Sequence, residues 1–365
     1  MINKLLYLTY IPLNGLPTTG SSVRPQKMKE ALENLKIEIK TFGGINNDIS
    51  LRRQTVNNIK NLLKEWTPDA CYIEPPSGPF FYYGDVQLIK LLHKKRIPSA
   101  IFYRDAYWRF PEYAVEKKET FVQRIKRFII KCMQMWQWKI INNNIDIIYF
   151  PSKTMSEEFN CSKKDILPPG AFIPQCNDKK DLSNVLQYIF VGGAAKNHGT
   201  FITIDSFKKY NEDGIKAKLI YVCPKEQWDD IGIDKNLYKD WLEVIHTSGD
   251  GNLKKLYEKA DISILTAPRT FYRDFAMPVK IFEYISYLKP ILATNCTETA
   301  RVISENNIGW VVEDNVDSIL KQLEYLEKNK QEIINIKNNM KRVRDENLWE
   351  CRANKIIKDL ELIHY

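Results

Sequence analysis

At 365 residues, with 44% apolar and 27% charged side chains, the chain is long for one domain, comfortable for two, and too apolar for wholesale disorder. No run reaches the ~18 apolar residues of a membrane span, and the seven cysteines stand singly with no C-x-x-C, which argues against a disulfide framework or zinc site and for a reducing cytoplasm. The net charge of +9 is lopsided: residues 1–170 hold 26 Lys+Arg against 16 Asp+Glu, or +10, which leaves −1 for the rest. An anionic partner for the first half (a membrane surface, an acidic glycan or a lipid phosphate) explains this excess, and so does plain solubility charge.

The chain opens on "MINKLLYLTYIPL", which has no small-residue cleavage site and reads as a buried first strand rather than a signal peptide. Apolar, β-rich runs then recur: "KLLYLTY" (4–10), "IEIKTF" (37–42), "DACYIE" (69–74), "SAIFYR" (99–104) and "DIIYFPS" (146–152). Helical patterns separate them, the first expected to start near Arg24 with Pro25 in its opening turn. Continuous apolar strands between helices predict parallel strands buried on both faces. Residues 117–141 predict an amphipathic helix with Phe121, Ile125, Phe128, Ile129, Cys132, Met133 and Trp136 along one side. That side is expected to pack on the sheet, leaving the basic residues Arg124, Lys126, Arg127 and Lys131 to meet an anionic membrane.

A Pro/Gly-rich stretch, "ILPPGAFIP" (166–174), marks a linker. Beyond it a second series runs "YIFVGG" (188–193), "KLIYVC" (218–223), "LEVIH" (242–246), "DISILTA" (261–267), "PILATN" (290–295) and "GWVVED" (309–314). Residues 315–364 read as helical throughout, with one break around 345–347. The expected fold class is therefore α/β, with two doubly wound domains over 1–168 and 169–344 and a helix over 345–365 returning to the first.

Open parallel sheets bind ligands beyond the carboxyl ends of their strands. After the first strand, a Gly/Ser/Thr-rich loop containing Gly20 and Ser21 leads into a helix, where a phosphate or sugar can approach or where an ordinary surface loop lies. After the fourth, "FYRDAYWRFPE" (102–112) gathers Arg104, Asp105, Tyr107, Trp108 and Arg109. Aromatic rings can stack on a sugar there, and Asp105 can orient or deprotonate a hydroxyl, or the stretch is a salt-bridged loop with packed aromatics. In the second series, Gly192 and Gly193 are placed to admit a donor phosphate, with Lys196 and His198 nearby. Lys280 and Glu283 share one face at a helix start, where the ammonium can hold a diphosphate and the carboxylate a ribose diol. "NCTETA" (295–300) opens the next helix, whose free amides and Thr297 and Thr299 hydroxyls form a second anion site.

On these residues the chain resembles the GT-B glycosyltransferases, in particular the retaining group called family 4. "PVKIFEYISYLKPILA" (278–293) is similar to that family's donor-domain pattern, and "LKKLYEKADISIL" (253–265), "ENNIGWVVED" (305–314) and "NLWECRANKIIKDLELI" (347–363) resemble the segments around it. The resemblance implies two Rossmann-like domains facing across a cleft and a nucleotide-sugar donor: a UDP-, GDP- or dTDP-sugar. It implies that Glu283 binds the ribose, that Lys280 neutralises the diphosphate, and that Gly192 and Gly193 lie beside it. It places the backbone amides of "NCTETA", that of Glu298 included, on the phosphates, His246 near the base, and Asp105 near the reacting sugar. Many relatives carry another glutamate where this chain has Phe275; Arg273 and Asp274 stand beside it, and Lys196, Arg269 and Arg273 are the candidates for the usual extra cation.

No Asp-x-Asp metal motif is evident, so fixed cations and helix amides are expected to stabilise the leaving diphosphate, with no cofactor. The acceptor is expected to be a hydroxyl of a glycan or lipid-linked molecule, in cell-surface polysaccharide or glycoconjugate synthesis. Epimerisation of a nucleotide sugar and a degenerate glycan-binding subunit are the competing functions. No nucleic-acid-binding motif accompanies the charge.

Overall fold

The computed structural model describes residues 1–13, 20–110, 120–161, 163–175 and 181–363, with the side chains at 20, 21 and 250 outside that description. The chain divides into two compact units, Met1–Pro169 with Trp349–Tyr365, and Gly170–Leu348.

Unit 1 holds strands β1 (Lys4–Thr9), β2 (Glu38–Phe42), β3 (Ala70–Glu74), β4 (Ser99–Phe102), β5 (Ile147–Phe150) and β6 (Lys164–Ile166) in the order β2-β1-β3-β4-β5-β6. Every pairing is parallel. β3 and β4 are buried along their whole length, as their uninterrupted apolar character requires, whereas the edge strand β2 is largely open. The helices are α1 (Gly20–Glu33), α2 (Ile49–Glu65), α3 (Tyr83–Lys94), α4 (Phe121–Asn144), α5 (Lys153–Glu157) and, from the chain's end, α14 (Trp349–Glu361). α14 packs on α1, with the Arg24 guanidinium 5.7 Å from the Trp349 ring.

Unit 2 holds β7 (Leu186–Val191), β8 (Ala217–Val222), β9 (Leu242–Ile245), β10 (Ile262–Leu265), β11 (Ile291–Thr294) and β12 (Gly309–Val312) in the order β12-β11-β10-β7-β8-β9, again all parallel. Its helices are α6 (Thr200–Tyr210), α7 (Lys225–Ile231), α8 (Asp250–Lys259), α9 (Phe271–Phe275), α10 (Val279–Ser286), α11 (Thr297–Asn306), α12 (Val316–Lys328) and α13 (Lys330–Glu346). The chain winds outward from β7 to β9, then restarts on the other side of β7 with β10. The topological switch point, where such sheets take their ligands, therefore lies between β7 and β10. The segments entering and leaving this unit meet as a parallel bridge at Ala171 and Leu348.

Three expectations need correction. α1 starts at Gly20, a turn before Arg24, so Pro25 sits inside the helix; its carbonyl accepts a 2.8 Å bond from the Tyr7 hydroxyl. The C-terminal helical stretch breaks at Asn329 as well as near 347. The apolar side of α4 does not pack on the sheet: Phe121, Phe128 and Ile129 are 76%, 67% and 57% exposed. The buried side of α4 is formed instead by Gln137, Ile140 and Ile141 in its last two turns.

Candidate functional site

The ends of β7, β10 and β11, three neighbouring strands of unit 2, gather most of the predicted donor-side residues. The β7 end is held by tertiary bonds: the Tyr284 hydroxyl accepts from the Val191 amide at 3.2 Å and donates to the Ile264 carbonyl at 3.1 Å. The Gly192 amide continues the ladder to Val222 at 3.0 Å, so it is spent on the sheet and not offered to a phosphate. Gly193 faces His198 and Gln227, and a Cβ there would come within 2.9 Å of the imidazole. A short 3-10 turn at Lys196–His198 leaves Lys196 exposed before α6 begins. Gly199 closes that turn with φ +77°, where a Cβ would lie 1.7 Å from the Thr266 carbonyl oxygen; only glycine lets the two loops come this close.

The β10 end carries a polar network. The Thr270 hydroxyl caps α9 by accepting from the Arg273 amide. The Arg273 guanidinium donates to the Asn197 carbonyl, tying the β10 loop to the β7 loop. Arg269 reaches both oxygens of Asp274, at 3.0 and 3.1 Å, and the carboxylate holds the guanidinium firmly protonated. Asp274 in turn accepts from the Thr297 amide at 2.9 Å, the first N–H of α11. The amino end of α11 thus already holds an anion, a carboxylate of the chain itself. Thr299 is 3% exposed, so its hydroxyl, expected at the anion site, is not offered to a ligand. The Glu298 side chain is fully buried and paired with Arg301 at 2.8 Å.

α10 supplies the second cluster. Lys280 donates to Glu283 Oε2 at 2.7 Å, and the buried Tyr257 hydroxyl donates to Oε1 at 2.6 Å. Burial, reinforced by the adjacent carboxylate, holds the Tyr257 phenol well above its usual pKa, so it remains a donor. Each carboxylate oxygen has a second lone pair, which leaves Glu283 able to accept from a diol while its orientation is fixed. Tyr257 escaped the sequence argument because a tyrosine on an amphipathic helix looks like core; its ring does stack on Tyr287 at 4.1 Å. His246 follows β9, two strands from β7, with Nδ1 held at 3.1 Å by the Cys223 carbonyl. Among the described residues no group of three His, Cys, Asp or Glu side chains is arranged to hold a metal ion.

In unit 1 the strand ends look different. Glu74, at the end of β3, is fully buried and holds Arg24 Nε at 3.0 Å, Arg104 Nη2 at 3.1 Å and the Tyr72 hydroxyl at 2.6 Å. Arg104 is therefore committed to the interior. Nearby Arg352 has its pKa lowered to about 10 by burial, with the Arg24 charge adding to the effect. Trp108 is not a free platform: its indole N–H bonds the Tyr103 hydroxyl at 2.6 Å, and its ring packs against Phe159. Asp105 lines a pocket with Tyr103, Arg104, Ser77, Gln134 and Trp138, and Tyr107 is 44% exposed. Of Gly20 and Ser21, only the backbone is described, at the start of α1; most of the loop before them, 14–19, and the helix entry at 117–119 lie outside the described residues.

Residues 177–343 match the family model of the glycosyl transferases group 1. The whole chain superposes on solved structures of that architecture. Sucrose-phosphate synthase from Thermosynechococcus elongatus matches with a TM-score of 0.67 and 11% identity over 97% of this chain and 98% of that one. Anabaena HepE in complex with UDP and glucose matches at 0.62 and 14% over the full length of both. An E. coli trehalose-6-phosphate enzyme structure with bound UDP-2-fluoro glucose matches at 0.64 and 12% over 99% of each. No curated protein sequence matches. The chain has the GT-B fold, and its second unit carries a group 1 glycosyltransferase domain. It is a glycosyltransferase that takes its sugar from a nucleotide-sugar donor.

Proposed function

We propose that the chain transfers a hexose or related sugar from a nucleotide sugar to a hydroxyl of a glycan or lipid-linked acceptor, with retention at the anomeric carbon and without a metal ion. The observation that carries this is the partly exposed Lys280 and Glu283 pair at the start of α10, held in place by the buried Tyr257 beside the switch point of unit 2. Glu283 would take the ribose hydroxyls, and Lys280 with the half-exposed Arg269 would balance the charge on the departing diphosphate. The Arg273 anchor to Asn197 would keep the two loops in register around the donor sugar.

In the proposed step the bond between C1 and the phosphate oxygen breaks and the acceptor oxygen bonds C1 on the same face. The acceptor proton passes to the phosphate oxygen that leaves, so no strong protein base is needed. Asp105 would orient the acceptor hydroxyl. UDP is the first nucleotide to try, because solved structures of similar fold hold UDP with glucose and UDP-2-fluoro glucose. The basic half of the chain supports an acceptor at an anionic inner membrane face, in polysaccharide or glycoconjugate synthesis. A thermal-shift screen of UDP-, GDP- and dTDP-sugars tests the proposal. One donor should raise the melting temperature and be slowly hydrolysed, and Glu283→Ala should abolish that shift. Failure of every donor to bind would remove the proposal.

A further inference from the structure

The first four turns of α4 present an apolar stripe that nothing in the described chain covers. Phe121, Ile125, Phe128, Ile129 and Trp136 fall on one side of a helix of 3.6 residues per turn and are between 43% and 76% exposed. The helix cannot roll to bury them. In its last two turns the Gln137 amide bonds the Phe80 backbone twice, at 2.9 and 2.8 Å, and Ile140 and Ile141 are buried. The stripe extends onto α3, where the exposed Tyr83 ring stacks on Trp136 at 5.9 Å.

The flanks decide what covers it. α4 contains Arg124, Lys126, Arg127, Lys131 and Lys139 and no acidic residue. Arg124 and Lys131 border the stripe on one side, Lys126 on the other. A second copy of the chain would bring the same five cations against these, so self-association across this face is repelled. An anionic bilayer complements both parts: its headgroups meet the cations, and its acyl boundary takes the aromatic and aliphatic stripe. Trp and Tyr rings sit at that boundary by preference, which suits Trp136 and Tyr83.

We propose that the first four turns of α4 insert this stripe into the headgroup boundary of an anionic phospholipid bilayer, lying in the plane of the membrane. The insertion gives the proposed lipid-linked acceptor its address and rests on that reading for its purpose, while the binding itself can be measured apart from it.

The full-length protein is sedimented with vesicles of phosphatidylglycerol and phosphatidylcholine in equal parts, and with phosphatidylcholine alone. The expected result is binding to the anionic vesicles that persists in part at ~0.5 M salt, where screening acts over roughly 4 Å. Phe128→Glu with Ile129→Glu should weaken that binding about tenfold or more through lost apolar burial. Both positions are exposed, so the melting temperature should hold. Arg124→Glu with Lys131→Glu should remove the salt-sensitive part. Wild-type failure to sediment, a Phe128/Ile129 double variant that binds like wild type, or a solution dimer that this double variant dissolves would each overturn the proposal. Binding of UDP-, GDP- and dTDP-sugars is read in the same samples. Vesicle binding without binding of any of these donors upholds the insertion and removes the proposed donor site, and the reverse overturns the insertion alone.

Discussion

The strand ends of the two units carry ion pairs of opposite character. In unit 1 the partners are sealed: Arg52 and Asp85 are 1% and 0% exposed, as side chains, and Arg24 and Glu74 are 4% and 0%. In unit 2 two pairs are open, Arg269 with Asp274 at 50% and 22% and Lys280 with Glu283 at 32% and 17%, while Arg301 with Glu298 is half-sealed at 35% and 0%. A buried pair has already lost its water, and separating it strands a charge in a poor solvent. A partly exposed pair loses little when one member turns to a ligand, because water and the ligand both compensate. The open pairs are therefore suited to exchanging partners with a diphosphate and a ribose, and the sealed ones to holding the frame. Similar residues at similar topological positions do different work because of their access to solvent.

The sharpest way to break this contrast is at Asp85. Its carboxylate holds the Arg52 guanidinium and accepts from the Tyr10 hydroxyl at 3.1 Å, and among the described residues one Arg52 nitrogen has no hydrogen-bond partner. Burial pushes the Asp85 pKa above its usual value, against the pull of Arg52 and Tyr10. Asp85→Ala should cost about 3–5 kcal/mol in urea unfolding, the magnitude expected when a buried pair loses one member. UDP binding by the folded fraction should be unchanged. A cost below about 1 kcal/mol would place the pair among exposed ones and dissolve the distinction.

Glu283→Gln makes the converse test. The amide still accepts from Tyr257, so the fold should survive, while the charge that orients Lys280 and grips a diol is gone. UDP affinity by calorimetry should fall about ten- to a hundredfold, corresponding to roughly 1–3 kcal/mol for lost charge-assisted bonds. Tyr257→Phe should move affinity in the same direction by less, since it frees the carboxylate to turn without removing it. Unchanged affinity in Glu283→Gln would separate α10 from the donor.

What the sequence disclosed follows the range of the forces involved. "KLIYVC" and "DISILTA" could be read as parallel strands because burial on both faces leaves an uninterrupted apolar run. "PVKIFEY" disclosed Lys280 and Glu283 because their contact is local to one helix turn. The partners of these residues were not legible. Asp274 reaches the Thr297 amide across 23 residues, and Tyr257 reaches Glu283 across 26, so no local pattern records either bond. Glu74 left a faint sign, an acid ending an apolar strand just before two prolines. The start of α1 was misplaced because Pro25 suits a first turn, and tertiary packing under Tyr7 overrode that preference. For α4, periodicity identified an apolar side; what that side meets depends on the fold around it.

The finest test of the contrast lies at Asp274, where the open network could work in either direction. Its carboxylate occupies the first amide of α11 and balances Arg269, so it both stands in an anion's place and steadies a cation. For a diphosphate arriving at this end of α11, repulsion from a fixed carboxylate nearby outweighs the loss of steering, because Arg269 keeps its backbone bond to Asp314 at 2.8 Å and a second contact to Thr297. Asp274→Asn preserves the shape and the two bonds accepted by Oδ1, from the Thr297 amide and Arg269 Nε, while removing the negative charge and the Oδ2 acceptor. UDP should then bind about threefold tighter, an effect of well under 1 kcal/mol that shrinks as salt screens the site. A drop in affinity would mean that Arg269 needs Asp274 to present its guanidinium, and the pair would then belong with the structural ones of unit 1.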